Sequence, residues 1–359
     1  MSKPRIRLGL IGYGRHGQGA VFPAIREARG IDLAAVADLS PDHLVKVPGP
    51  RVSTYLDYRR MIAHERLDAV YVATPVETHA GVVLAALGAG LHVITEKPMA
   101  ASVAACRRMI AAATRARRLL VVDFELRYTP GVRQIRTWIA EGRLGRLGAI
   151  HIDHFWDGHK TTGPLAERRR RFCDSSGCLD CGIHRLDLPR YFNGGGSWRD
   201  IRATGSWFGE AVRYPTHIAI QARLDTGVLV TVNASFAFTA AIPQRLPGSN
   251  YEALAILGDR GVIVLHQAPN GSGQLQLVSE SLSRVVPFER HGHSSVITRM
   301  LNDFAGAVRQ GRPLPPEAAT GEDGLQAQLI TDEANRLAVE TGDTFALKAR
   351  KKKPSNAQR

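Results

Sequence analysis

Gly12-Tyr13-Gly14-Arg15-His16-Gly17 follows directly on an apolar run, Arg5 to Ile11, and leads directly into a helical pattern starting near residue 17. Few folds accept that order. The first glycine of such a loop permits a tight turn, the second lets backbone approach a ligand, and the third packs helix closely on strand. The helix N-terminus then offers free amides and the positive end of its dipole, an arrangement suited to a pyrophosphate. A second apolar strand ends at Asp38, 21 positions past Gly17, close to the ~20-residue spacing at which a carboxylate reaches the ribose hydroxyls of a dinucleotide. Gly12, Tyr13, Gly14, Arg15, His16, Gly17 and Asp38 therefore form the expected cofactor loop. Asp38 would repel a 2′-phosphate and Arg15 would attract one, so NAD is the expected cofactor, with NADP left open.

The rest of the first 120 or so residues keeps a βαβ rhythm. Helical patterns near 17–29, 55–65, 78–89 and 102–117 separate strand patterns at 5–11, 32–37, 69–73, 92–95 and 119–124. Runs such as Ala69-Val70-Tyr71-Val72-Ala73 are apolar without alternation, as expected of parallel strands covered on both faces. After residue 146 strands dominate, at 147–156, 201–208, 217–224, 228–238, 252–257, 262–266 and 274–278, with glycine turns at Asp225-Thr226-Gly227 and Gly258-Asp259-Arg260-Gly261. Two helices, near 294–310 and 322–341, follow. The fold class expected is α/β: a doubly wound Rossmann sheet, then an α+β domain with a large open, mostly antiparallel sheet. A chain of 359 residues exceeds one ordinary domain. The boundaries read as 1–123 for the dinucleotide domain, 124–347 for the substrate and oligomerisation domain, and 348–359 for a disordered basic tail.

The net charge of +14 raises the question of a nucleic-acid partner. Its placement argues against one. Lys348 to Arg359 holds six positive residues and no acid, and Arg168 to Arg171 add four more, without aromatic or zinc-finger spacing around them. The arginine run reads as a solvated loop or an ion-paired subunit contact, with recruitment of an acidic sugar or sugar phosphate as the alternative. No apolar run reaches the ~18 residues of a membrane span, and the N-terminus lacks a secretory signal pattern, so a soluble, cytoplasmic protein without membrane partner is expected. Cys173, Cys178 and Cys181 stand at C-x4-C-x2-C spacing, with His184 as a fourth candidate ligand. No cysteine follows Cys181, so no metal is expected and the thiols read as reduced and packed.

Three side chains carry hydride-transfer chemistry by type and place. Asp180 and His184 are four apart, which on a helix puts carboxylate and imidazole on one face, a turn from each other. Oxidising a secondary alcohol needs a base for the hydroxyl proton, and imidazole titrates near neutrality. His184 is the candidate base and Asp180 orients it. Lys97 ends a strand pattern, at the sheet edge where doubly wound folds bind ligands, and its ammonium can polarise the reacting oxygen.

His92-Val93-Ile94-Thr95-Glu96-Lys97-Pro98, the Thr-Pro loop Ala73-Thr74-Pro75-Val76-Glu77-Thr78-His79, Arg127-Tyr128-Thr129-Pro130 and Gly177-Cys178-Leu179-Asp180-Cys181-Gly182-Ile183-His184 together resemble motifs of the Gfo/Idh/MocA oxidoreductases. The resemblance implies a dehydrogenase of a sugar, inositol or related polyol. It places Thr74, Pro75, His79, Glu96 and Lys97 at the cofactor, makes Arg127, Tyr128, Asp180 and His184 substrate-binding, and implies a cis Lys97-Pro98 bond. It also implies a homo-oligomer, dimer or tetramer. Departures are Asp174-Ser175-Ser176-Gly177 before the catalytic helix and the acidic pair Asp123 and Glu125, which leave the substrate's charge open. Two other readings stand beside the dehydrogenase: an NAD-dependent lyase or glycoside-cleaving enzyme working through transient oxidation, and a non-catalytic NAD-sensing regulator.

Overall fold

The computed structural model describes residues 5–49, 51–155, 179–207, 213–235, 251–267, 272–288 and 292–341. The expected basic tail, Arg168 to Arg171, Cys173 and Cys178 lie outside these residues. The chain divides into two compact units, residues 1–133 with 291–328, and 134–290 with 329–359. The linear reading drew its boundary after residue 123 and assigned 291–328 to the second domain. A segment that returns late to an early domain leaves no local mark in the sequence.

In the first unit, strands β1 (Ile6–Ile11), β2 (Ile31–Ala37), β3 (Ser53–Tyr55), β4 (Ala69–Val72), β5 (His92–Glu96) and β6 (Leu120–Asp123) form a parallel sheet in the order β3-β2-β1-β4-β5-β6. All four residues of β4 and of β6 are buried, as strands covered on both faces require. The crossovers run through α1 (Phe22–Glu27), which a π-helical turn (Gly17–Val21) precedes, α2 (Pro41–Leu44), α3 (Tyr58–His64), α4 (Val76–Gly88) and α5 (Val103–Ala116). A 3-10 turn (Glu125–Tyr128) leads from β6 to α6 (Pro130–Ala140).

In the second unit, β7 (Leu147–Phe155), β8 (Trp198–Ser206), β9 (His217–Leu224), β10 (Leu229–Ser235), β11 (Tyr251–Gly258), β12 (Gly261–Gln267), β13 (Gly273–Ser279) and β14 (Ser283–Phe288) form one sheet, ordered β14-β13-β12-β11-β7-β10-β9-β8. Every pairing is antiparallel except β7 with β10. Alternation sets the buried face: Ile150 and Ile152, Ile218 and Ile220, Val230 and Val232, Leu254 and Ile256, and Leu275 and Leu277 all point inward. β14 was not expected from the sequence. Pro287 sits in it, which an edge strand tolerates because one row of its amides needs no partner.

Helix α7 (Leu179–Asn193) packs on β7 and β10 with Ile183, Leu186, Tyr191 and Phe192 buried. Helix α8 (His293–Gln310) belongs to the first unit. Its Val296, Ile297, Met300, Leu301 and Phe304 join Val21, Phe22 and Ile25 in one core cluster, each large side chain contributing roughly 1.5–3 kcal/mol. Helix α9 (Gly321–Thr341) ends the described chain. Among the described residues no helix is long and apolar enough to cross a membrane.

Candidate cofactor and active site

The glycine loop leaves β1 and is fixed from three sides. The Gly12 amide bonds the Ala37 carbonyl at 2.8 Å, the Ala73 amide bonds Ile11 O at 2.7 Å, and the Gln18 side chain bonds Tyr13 O at 2.6 Å. Gly12 has φ +97°, and a Cβ there would lie 2.6 Å from the Ala73 backbone. At Gly17 a Cβ would stand 2.4 Å from Gly12 O. These two glycines are demanded by the protein itself. Gly14 is different: a Cβ would meet nothing within 4 Å, and its φ is ordinary. Nothing among the described residues packs against that position, so the loop backbone is open on this side.

Asp38 follows β2 on the other side of the loop. Its carboxylate accepts from Tyr13 N at 2.6 Å, from Ser40 N at 2.9 Å and from His43 Nδ1 at 3.0 Å. It thus fixes the loop through the Tyr13 amide. Arg15 is exposed at the mouth, whereas the Tyr13 ring is buried, edge-on to Phe22 at 5.4 Å, so only its backbone serves the loop.

Three of the residues assigned by resemblance are buried. His79 is 1% exposed, and its ring nitrogens lie 2.8 Å from Thr74 O and 3.0 Å from Pro98 O, bracing the Thr-Pro loop against the Lys-Pro loop. Arg127 is buried, paired with Asp323 at 3.3 Å. Tyr128 is buried too, and desolvation with the nearby Asp303 charge pushes its hydroxyl well above the ordinary range. Sequence spacing identifies the loops but not which way their side chains turn. Thr74 and Pro75 follow the C-terminal end of β4, with the Thr74 amide beside Gly12, and Lys97-Pro98 is cis.

Lys97, half-buried, follows the last residue of β5. Next to it lies a group of ionisable side chains that the sequence reading did not assemble. Glu96 accepts from His16 Nε2 at 2.9 Å and from the Tyr71 hydroxyl at 2.7 Å. The same hydroxyl contacts Asp123 closely, and Glu125 pairs with His293 at 3.3 Å. Burial, then the charges of Glu96 and Glu125, push the Asp123 carboxyl well above its ordinary range. Burial pushes Glu96 up too, but the His16 hydrogen bond and charge outweigh it and hold Glu96 below that range. His16 and His293 are raised, the first by its bond to Glu96 and the second by its bond to Glu125. Tyr71, His16 and His293 come from β4, the glycine loop and α8, and no local pattern announces their meeting.

In the second unit, Asp180 and His184 both lie on α7, with His184 buried at 6% exposure. The adjacent Arg185 grips Glu252 of β11 through both carboxylate oxygens, each 2.9 Å from one guanidinium nitrogen. This bidentate pair ties the His184 turn of α7 to the sheet. Glu252 stands opposite His154 in the β11–β7 register. Among the described residues no cluster of three or more His, Cys, Asp or Glu side chains is arranged to hold a metal ion.

Residues 6–124 match the family described as "Oxidoreductase family, NAD-binding Rossmann fold", and residues 132–264 match the Gfo/Idh/MocA C-terminal domain. The rhizopine catabolism protein MocA of Rhizobium meliloti is 32% identical over 93% of this chain and 95% of its own. An inositol 2-dehydrogenase of Acidothermus cellulolyticus is 27% identical over 92% of this chain and 91% of its own. An oxidoreductase from Agrobacterium radiobacter, solved in complex with NAD+, L-tartaric acid and magnesium, superimposes with a TM-score of 0.78 at 17% identity, covering 93% and 96% of the two chains. Sheet order, glycine cradle and both matched regions agree: the chain belongs to the Gfo/Idh/MocA oxidoreductases, the family with the NAD-binding Rossmann fold.

Proposed function

We propose that the chain oxidises a secondary alcohol of a cyclitol, sugar or related polyol, with Lys97, Asp180 and His184 as its catalytic side chains and NAD as its cofactor. The observation that carries the reading is the position of Lys97, directly past β5 on the half of the sheet edge across from Asp38, where a doubly wound fold takes the second mononucleotide. Gly12, Gly14 and Gly17 would cradle the pyrophosphate, and Asp38 would take the adenosine ribose hydroxyls in preference to a 2′-phosphate. The bound nicotinamide supplies the hydride acceptor. His184 takes the hydroxyl proton, Asp180 one turn earlier orients the ring, and the Lys97 ammonium stabilises the negative charge that develops on the substrate oxygen. The names of the two relatives, an inositol dehydrogenase and a rhizopine catabolism protein, support a ring polyol as substrate class.

The outward face of the eight-stranded sheet exposes Leu229, Tyr251, Leu257, Val278 and Val285, a surface suited to a second copy of the chain. Cofactor reduction measured with a panel of inositols and sugars tests the activity. Lys97→Ala and His184→Ala should each lower turnover by ~10²–10⁴-fold while NAD affinity survives. Near wild-type rates in either variant would remove that residue from the catalytic set.

A further inference from the structure

The acidic group beside Lys97 has an internal order that follows from counting protons. Tyr71 has one hydroxyl proton and two carboxyl neighbours, Glu96 and Asp123. Two ionised carboxylates sharing one buried phenol would leave like charges facing each other. The consistent arrangement has Asp123 protonated and donating to the Tyr71 oxygen, Tyr71 donating to the Glu96 carboxylate, and His16 donating to Glu96 from the other side. One hydrogen-bonded chain therefore runs from a carboxyl that is 1% exposed to an imidazole whose side chain is 39% exposed. The direction of each group's titration agrees with this assignment: Asp123 and His16 hold their protons more tightly than usual, Glu96 less, and the Tyr71 hydroxyl is raised by burial.

The chain crosses the part of the sheet edge that matters most for cofactor charge. It begins in the glycine loop after β1 and passes through β4 and β5 to the end of β6. That is the half opposite Asp38, which receives the nicotinamide if the adenosine ribose lies at Asp38. The oxidised and reduced cofactors differ there by one positive charge on the ring, and a buried network of low polarisability responds to such a charge.

We propose that the Asp123–Tyr71–Glu96–His16 chain gives up one proton when oxidised cofactor binds and keeps it when reduced cofactor binds, so that the protonation of this network follows the redox state of the ring. The inference rests on the NAD-binding reading above. Charge balances: one positive charge enters with the ring and one leaves as a proton through His16. Once the ring is neutral the network takes a proton back, and the alcohol releases one in the same turnover. The other ionisable groups facing the network are Glu125 on the turn after β6, His293 at the start of α8 and Lys97 after β5. His293 and Glu125 pair with each other, and the charges of both also bear on His16.

Titration calorimetry of NAD+ and NADH against the full chain, across about pH 6 to 9 and in buffers of different ionisation enthalpy, tests this. By linkage, release of one proton tightens NAD+ binding up to about tenfold per pH unit, while NADH affinity should change less than ~2-fold. Asp123→Asn and His16→Gln should each flatten the NAD+ dependence. The inference is overturned if the two cofactor forms follow pH in parallel, or if both network variants retain the wild-type slope. Failure of both forms to bind at any pH would instead refute the underlying NAD-binding reading, and this inference with it.

Discussion

Asp38 follows β2 and Asp123 ends β6, two aspartates at the same edge of one parallel sheet, and they meet opposite surroundings. Asp38 receives two backbone amides and an imidazole, donors that a carboxylate satisfies without further help. Asp123 lies beside Glu96, Glu125 and the Tyr71 hydroxyl, with burial disfavouring its charge. The first carboxylate is held by three donors, and burial beside like charges favours a proton on the second. One sheet edge thus carries a donor-rich carboxylate at one end and a donor-poor, buried one at the other.

The strongest way to break the comparison is to close the cradle that serves both ends. Gly12→Ala puts a side chain at φ +97° and 2.6 Å from the Ala73 backbone. Strain of this kind costs ~1–3 kcal/mol before the steric overlap is counted. The variant should melt well below wild type and bind NAD too weakly to titrate, both readable by thermal denaturation with and without cofactor. Retained affinity would mean that the loop is not the pyrophosphate site.

Asp38→Asn acts on one end alone. It keeps the shape but makes the Tyr13 amide bond neutral, and hydrogen bonds to a charged partner contribute ~1.5–3 kcal/mol. NAD affinity should drop by about one to two orders of magnitude, and the preference for NAD over NADP should narrow. Equilibrium titration with both cofactors checks this. An unchanged NAD:NADP ratio would show that Asp38 holds the loop without reading the ribose.

At the other end the expected sign is reversed, because Asp123→Asn should stabilise. Below pH ~4 folded and unfolded chains both carry the proton. As pH rises the unfolded carboxyl ionises first, since the folded value is raised, so the wild type loses stability over that range and the variant does not. At neutral pH the variant should melt higher, by roughly 2–4 °C for each kcal/mol gained, and near pH ~3.5 the difference should vanish. A lower melting temperature at neutral pH would show that the ionised form is the stable one.

The two ends also differ in how far they could be read from residues alone. Gly12, Gly14, Gly17 and Asp38 act through fixed spacing within one βαβ unit, so backbone geometry converts position in sequence directly into position in space. The alternation of Ile150, Ile152, Val230 and Val232 likewise marked one face of the second sheet. Parallel pairing of β7 with β10, and the return of residues 291–328 to the first unit, depend on contacts between distant segments and left no periodic trace. Asp123 and Glu125 were noticeable as acids, yet their meaning lies in Tyr71, His16 and His293, supplied by three other elements. His79, Arg127 and Tyr128 show the converse: the loops were recognised, but side-chain direction follows from packing, and packing turned all three inward.

The smallest expected effect sharpens the contrast within the proton-holding end itself. His293 bonds Glu125 at 3.3 Å with 68% of its side chain exposed, whereas His16 bonds Glu96 at 2.9 Å with 39% exposed. The Glu125 bond raises the folded value of His293, so its contribution to stability is complete below the unfolded value near pH ~6.5 and fades as pH rises through the folded one. Solvent screening of the His293 side, 68% exposed, keeps the pair at or below ~1 kcal/mol although the Glu125 side chain is only 9% exposed. His293→Gln should therefore cost less than about 1 kcal/mol at pH ~6, nothing measurable at pH ~9, and less again at ~1 M salt. Denaturant titrations at the two pH values supply the numbers. If the loss at pH ~6 instead matched that of His16→Gln and resisted salt, His293 would belong to the buried network, and the line drawn between the half-exposed His293–Glu125 couple and the interior proton chain would have to move.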